Sequence, residues 1–145
     1  MSGNTADAHP SKRPVVVGLH DSKNSLAALR RAVDVAVSAE TGIHIVYVVP
    51  GGSAEDAATG GEAMVSAAVS KLFPDGLPVP GRVSVERGDP AQTLVRLSAD
   101  AERLVIGACN HAHRRGIFAG DIVRFCMKHA ACPVDVCADH GTEPA

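Results

Sequence analysis

Apolar and polar positions follow one another in blocks along this chain. Residues 14–19 (PVVVGL) form a β-branched run bounded by turn residues, the pattern of a strand buried on both faces. Leu26, Leu29, Val33, Ala36 and Val37 then recur at spacings of three and four, which predicts a helix with one apolar face. Asp21, Ser22 and Ser25 offer its N-cap, and Gly42 its C-terminal stop. Residues 43–49 (IHIVYVV) read as a second strand, closed by Pro50-Gly51-Gly52. Residues 53–61 are small and polar and read as a mobile loop or a frayed helix start. Beyond them Met64, Ala67, Ala68 and Leu72 have helical spacing within 62–73, and Pro74-Asp75-Gly76 ends the run. A third strand lies within 79–86, where Val83 and Val85 alternate with Ser84. Asp89 as N-cap and Pro90 at the first helical position open a third helix with Leu94, Val95 and Leu97 on its apolar face. Residues 103–107 (RLVIG) make a fourth strand. Ile122, Phe125, Cys126 and His129 mark a fourth helix, and residues 133–137 (PVDVC) a short fifth strand.

Five strands interleaved with four helices predict an α/β fold: a parallel sheet with helices on both faces, three layers in all, joined by right-handed crossovers. The 145 residues suit one domain. Its expected bounds are 13–139, with a disordered arm at 1–12 and a flexible tail at 140–145, both polar and without period. In such a sheet, ligands bind beyond the C-terminal ends of the strands, where strand order reverses. The predicted crevice is lined by Leu19, His20 and Asp21, by Val48 and Val49, and by the loop after Gly107.

Composition narrows the function. Aromatics are 3% of the chain and Trp is absent, so stacking on aromatic platforms, the usual grip on single-stranded nucleic acid, has little to work with. A net charge of -2 supplies no basic field, and Arg114-Arg115 is too short to create one. No apolar run approaches the ~18 residues of a membrane span. The polar first residues show no signal-peptide pattern, so a cytoplasmic location and reduced cysteines are expected. The sequence holds no CxxC pair, no G-x-S-x-G elbow and no Gly-Lys-Ser phosphate loop. His20 and Asp21 are adjacent, a poor geometry for a catalytic dyad, and no nucleophile–base pair stands out.

Three segments carry a resemblance. VVVGLHDSKNSLAALRRAVDVA resembles the first strand and helix of universal stress proteins, VERGDPAQTLVRLSADAERLVIG their third strand, third helix and fourth strand, and GDIVRFCMKHAACPVDVC their closing helix and strand. The resemblance spans residues 14–137 and is most specific in KHAACPV. It implies a Rossmann-like sheet of order 3-2-1-4-5, of the adenine nucleotide alpha-hydrolase type, and a cytoplasmic homodimer joined through the last strand, here Val134 and Val136. ATP-binding members carry Gly, two residues, Gly, nine residues, then Gly-Ser or Gly-Thr. The glycines let backbone N–H groups approach phosphate, and the hydroxyl donates to a phosphate oxygen at a helix N-terminus. Here the motif reads Gly107, Asn110, Gly120, Asp121. Asn tolerates a left-handed backbone. The Asp sets a carboxylate where phosphate should rest, or serves as the N-cap of the fourth helix. The acidic residue that often follows the first strand in the family is replaced by His20, with Asp21 next.

The expected function is therefore a non-catalytic stress-response binding module that requires no cofactor and in which ATP binding is weakened or lost. The expected site is Leu19, His20, Val48, Gly107, Asn110, Gly120 and Asp121. One alternative is an adenine-nucleotide (ATP) binder with at most slow hydrolysis. Another is a metal- or redox-responsive site on Cys109, His111 and His113 with His20, since Cys and neutral His are zinc ligands. Cys126 and His129 are expected in the core of the last helix, and Cys132 and Cys137 at buried or interfacial positions. Asp135, between Val134 and Val136, would either bring like charges together in a dimer or guard a solvent-facing edge.

Overall fold

A computed structural model describes residues 13–19, 23–49, 54–107 and 119–137. The elements are β1 (Val15–Leu19), α1 (Lys23–Ala39), β2 (Ile43–Val49), α2 (Ala54–Leu72), β3 (Gly81–Arg87), α3 (Pro90–Leu97), β4 (Arg103–Gly107), α4 (Ala119–His129) and β5 (Val134–Cys137). All four strand pairings are parallel, and the order is β3-β2-β1-β4-β5, as the resemblance implied. The expected arm at 1–12 and tail at 140–145 lie outside the described residues.

β1 is central because it is apolar on both faces. Val15, Val17 and Leu19 point into one core, with Leu29, Ala32, Val33 and Ala36 of α1 and Val65 and Ala68 of α2. Val16 points into the other, with Val46, Leu94 of α3, Leu104, Ile106 and Cys126 of α4. Alternate residues of a strand must face opposite ways, so a helix layer is needed on each side. Gly18 lets α3 close on the sheet: a Cβ there would lie 2.7 Å from a Leu94 methyl.

The helices depart from expectation in particular places. Ala28 and Ala32 join the buried face of α1, whereas Val37 is exposed. The helix stops at Glu40, not at Gly42. Glu40 takes φ 57, its N–H donates to the Val37 carbonyl at 3.2 Å, and Thr41 N–H donates to the Ala36 carbonyl at 2.9 Å. That pair of bonds closes a helix through one left-handed residue, a place Gly usually takes. Ser25 lies inside α1 and so is not its cap; Asp21 and Ser22 are outside the described residues. α2 begins at Ala54, so helix covers nearly all of the stretch read as a loop or frayed start. The cap of α3 is as predicted: Asp89 is extended and its carboxylate accepts from Gln92 N–H at 2.9 Å. In α4, Cys126 is fully buried as expected, but His129 is exposed and leans on the Phe125 ring, centroids 4.3 Å apart.

Asp135 neither guards the edge nor stands unpaired. It turns to the α1 side of β5 and accepts from Arg31 Nε and from an Arg103 guanidinium nitrogen, each at 3.1 Å. Both arginines are substantially solvated, so the clamp orients more than it stabilises.

Two adjacent glycines in α2 have opposite roles. Gly60 faces open space, whereas a Cβ on Gly61 would lie 2.6 Å from Tyr47 Cδ2 and 3.0 Å from Val85 Cγ1. Gly60→Ala is expected to raise stability by about 0.5–1 kcal/mol through helix propensity. Gly61→Ala should lower it by about 1–3 kcal/mol through overpacking. Urea unfolding midpoints of the two variants check this; equal shifts would refute the packing of α2 on Tyr47.

Candidate functional site: the C-terminal rim of the sheet

The strand order reverses at β1, which has β2 on one side and β4 on the other. In such a sheet the ligand crevice lies beyond the ends of β1 and β4. Leu19 ends β1 and Gly107 ends β4; both are buried. Gly107 pairs across to Cys137 at the end of β5. Gly120 and Asp121 fall in the first turn of α4, which starts at Ala119. Asp121 is thus within the helix and not its N-cap, although a carboxylate is favoured in that turn by the helix dipole.

The structure brings some of the predicted residues together and separates others. Leu19 and Gly107 share the rim of adjacent strands. Val48 is buried in the α3/α4 core, whereas Leu19 is buried in the α1/α2 core. Their side chains point to opposite faces of the sheet. His20 and Asn110 lie outside the described residues, as do Asp21, Cys109, His111 and His113. Among the described residues no group of three His, Cys, Asp or Glu could hold a metal.

The described thiols are poorly suited to nucleophilic or redox chemistry. Burial, with Asp89 adding, pushes the Cys126 thiol up to about 11. Burial also raises Cys132, against an opposing hydrogen bond from Ser98. Burial and then Asp135 raise Cys137, while Arg31 opposes. The thiolate is the reactive form, so all three are held mostly in the unreactive one near neutral pH.

One polar pair went unnoticed in the sequence. His44 of β2 is only 6% exposed, and its Nε2 shares a hydrogen bond of 2.7 Å with Ser84 Oγ of β3. Within IHIVYVV, the alternation that puts Val46 and Val48 in the α3/α4 core also puts His44 on that face; its partner depends on the β2–β3 register, which local pattern does not reveal.

Residues 12–137 match the model of the universal stress protein family. The chain belongs to the universal stress protein family. It is similar to universal stress protein Rv3134c of Mycobacterium tuberculosis, 32% identical over 145 residues, covering 97% of this chain and 53% of that one. The chain spans about half the length of the curated relatives it matches. The fold resembles that of universal stress protein UspA from Lactobacillus plantarum, with a TM-score of 0.70, 16% identity, and 88% of this chain and 99% of that one covered. It also resembles the universal stress protein from Archaeoglobus fulgidus in complex with dAMP, with a TM-score of 0.69, 23% identity, and 86% and 97% covered. No helix among the described residues is long and apolar enough to cross a membrane.

The buried histidine of this family member has a pH consequence. Burial first, then Arg82, lowers the His44 pKa below its ordinary 6.5, with Glu86 opposing. The unfolded chain therefore binds this proton more readily than the folded one. His44 contributes stability that is full above about pH 6.5 and is lost as pH falls through its lower folded value. Urea midpoints measured between about pH 7.5 and 5.5 should fall less in His44→Gln than in the wild type. An unchanged pH slope would show that His44 is not held neutral by the fold.

Proposed function

We propose that this universal stress protein is a non-catalytic, cytoplasmic regulatory module whose triphosphate cradle is weakened. The observation that carries this reading is Asp121 in the first turn of α4, directly after Gly120, where ATP-binding members place a phosphate-binding hydroxyl. Two unit charges about 4 Å apart at a near-surface dielectric repel by roughly 4 kcal/mol, enough to weaken binding more than a hundredfold. Bridging Mg²⁺ would relieve that repulsion. The second reading is binding of an adenine nucleotide, supported by the dAMP complex of the Archaeoglobus relative, which has the same fold. A metal- or redox-responsive loop at Cys109, His111 and His113 stands third and rests on residue type alone.

Calorimetric titration with Mg-ATP separates the first two readings. Affinity weaker than about 10 µM is expected, and tighter binding would overturn the weakened-cradle reading. Restoring the motif with Asp121→Ser and Asn110→Gly should strengthen ATP binding by at least about tenfold. Zinc measured in protein purified without a His-tag tests the third reading, which fails below one-tenth equivalent.

The module is proposed to act as a homodimer joined at β5. That strand ends the sheet, and an edge strand offers unpaired backbone groups. Val136 is 39% exposed on it, and Met127 of the neighbouring α4 is 62% exposed. The arginine clamp draws Asp135 to the α1 side, which spares the edge a bare charge. Light scattering at two concentrations should report a dimer, and Val136→Lys should shift it toward monomer; a mass unmoved by Val136→Lys would exclude β5 as the joint.

A further inference from the structure

We infer that the other edge of the sheet, β3, is a second self-pairing surface whose partner is β3 of another copy of this chain. Among the described residues β3 hydrogen-bonds only to β2, so its outer side ends the sheet. The Pro80 carbonyl accepts from Ile43 N–H, and Gly88 N–H donates to the Val49 carbonyl. Both residues thus direct their backbone at β2. Along a strand this direction alternates, so 82, 84 and 86 also face β2, while 81, 83, 85 and 87 present free N–H and C=O groups outward.

The side chains on this edge are self-complementary. Residues 82–86 read Arg-Val-Ser-Val-Glu. Laid antiparallel on itself about a two-fold axis at Ser84, the segment sets Arg82 opposite Glu86 of the other copy, twice over. It sets Val83 opposite Val85 and Ser84 opposite Ser84. Shifting the axis by one residue, to Val83 or to Val85, puts no unlike charges opposite. The backbone agrees with the Ser84-centred register. The outward-facing residues 83 and 85 meet as hydrogen-bonded pairs, and Ser84 meets its copy as a non-hydrogen-bonded pair. One patch that fits itself about a two-fold axis is an isologous interface.

The surroundings favour the same occupant. Val83 is 49% exposed. With Val85 it floors an open groove of about 440 Å³ whose other wall is α2, lined there by Val65 and Val69. In the antiparallel pair, Val85 and Val83 of the second copy fall beside this groove and cover it. On the opposite face His44 holds the Ser84 hydroxyl at 2.7 Å, between Arg82 and Glu86. Unlike pairs directly opposite in antiparallel strands stabilise, and like charges there destabilise. Because β3 and β5 lie at opposite ends of the sheet, pairing here does not depend on pairing at β5.

The experiment is oxidative linking of full-length Ser84→Cys at high protein concentration, read on non-reducing gels beside the wild type with its own cysteines. A non-hydrogen-bonded antiparallel pair brings Cα atoms to about 4.5 Å, within disulfide reach. A linked dimer well above the wild-type level is expected. Adding Arg82→Glu or Glu86→Arg should lower its yield at least about fivefold, since either change sets like charges opposite at two places. Adding both should restore it to within about twofold, because the swapped edge is again self-complementary. Val136→Lys should leave the yield unchanged, which separates this edge from the β5 dimer. No linked dimer above wild type leaves the edge to a foreign strand and overturns the inference. So does equal linking in the single and double charge variants, or loss of linking with Val136→Lys.

Discussion

The fold depends on covering a strand that is apolar on both sides. Val15, Val16 and Val17 follow one another in β1, and all are essentially inaccessible to water. A run like that has no solvent-tolerant face, so its hydrophobic gain is realised only when helices close from both directions. α1 and α2 close one side, and α3 and α4 the other. Small residues set how near they come: Ala28, Ala32 and Ala36 on α1, Gly18 beneath Leu94, and Gly61 against Tyr47. The same central placement of β1, with β2 on one side and β4 on the other, is where strand order reverses, the place where sheets of this kind hold ligands.

The sheet has two edges, and the chain treats them differently. At β5 the middle residue is a carboxylate drawn inward by Arg31 and Arg103, leaving apolar Val136 toward the outside. At β3 the charges stay on the edge: Arg82 and Glu86 lie two residues either side of Ser84, and Arg87 ends the strand. Charges on an edge usually discourage association. Arranged symmetrically about Ser84 with opposite signs, Arg82 and Glu86 instead favour the one self-pairing register inferred above.

Much of the fold was legible in the residues. β-branched runs located the strands, Asp89-Pro90 located the start of α3, and RLVIG marked β4 to the residue. Misreadings came where local preference met a tertiary demand. Val37 has the right spacing for the α1 face yet sits round the helix from the sheet. Gly42 is the obvious stop, but Glu40 takes the left-handed turn. Residues 54–61 look too small and polar for a helix, yet Gly61 is wanted there because Tyr47 leaves no room for a methyl. His129 has core spacing, and the short α4 leaves it outside beside Phe125.

The sequence by itself determined the class of fold and, through its resemblance, the family, because periodicity, turn residues and motif spacing are local and survive without coordinates. Gly107, Gly120 and Asp121 are placed in the family's phosphate motif by that resemblance. Only the tertiary structure decided which side chains meet. That Leu19 and Val48 face opposite layers, that His44 finds Ser84, and that Asp135 finds two arginines all follow from register and helix placement. Those are set by long-range packing of whole elements, and the residues that meet lie as many as 104 positions apart in the chain.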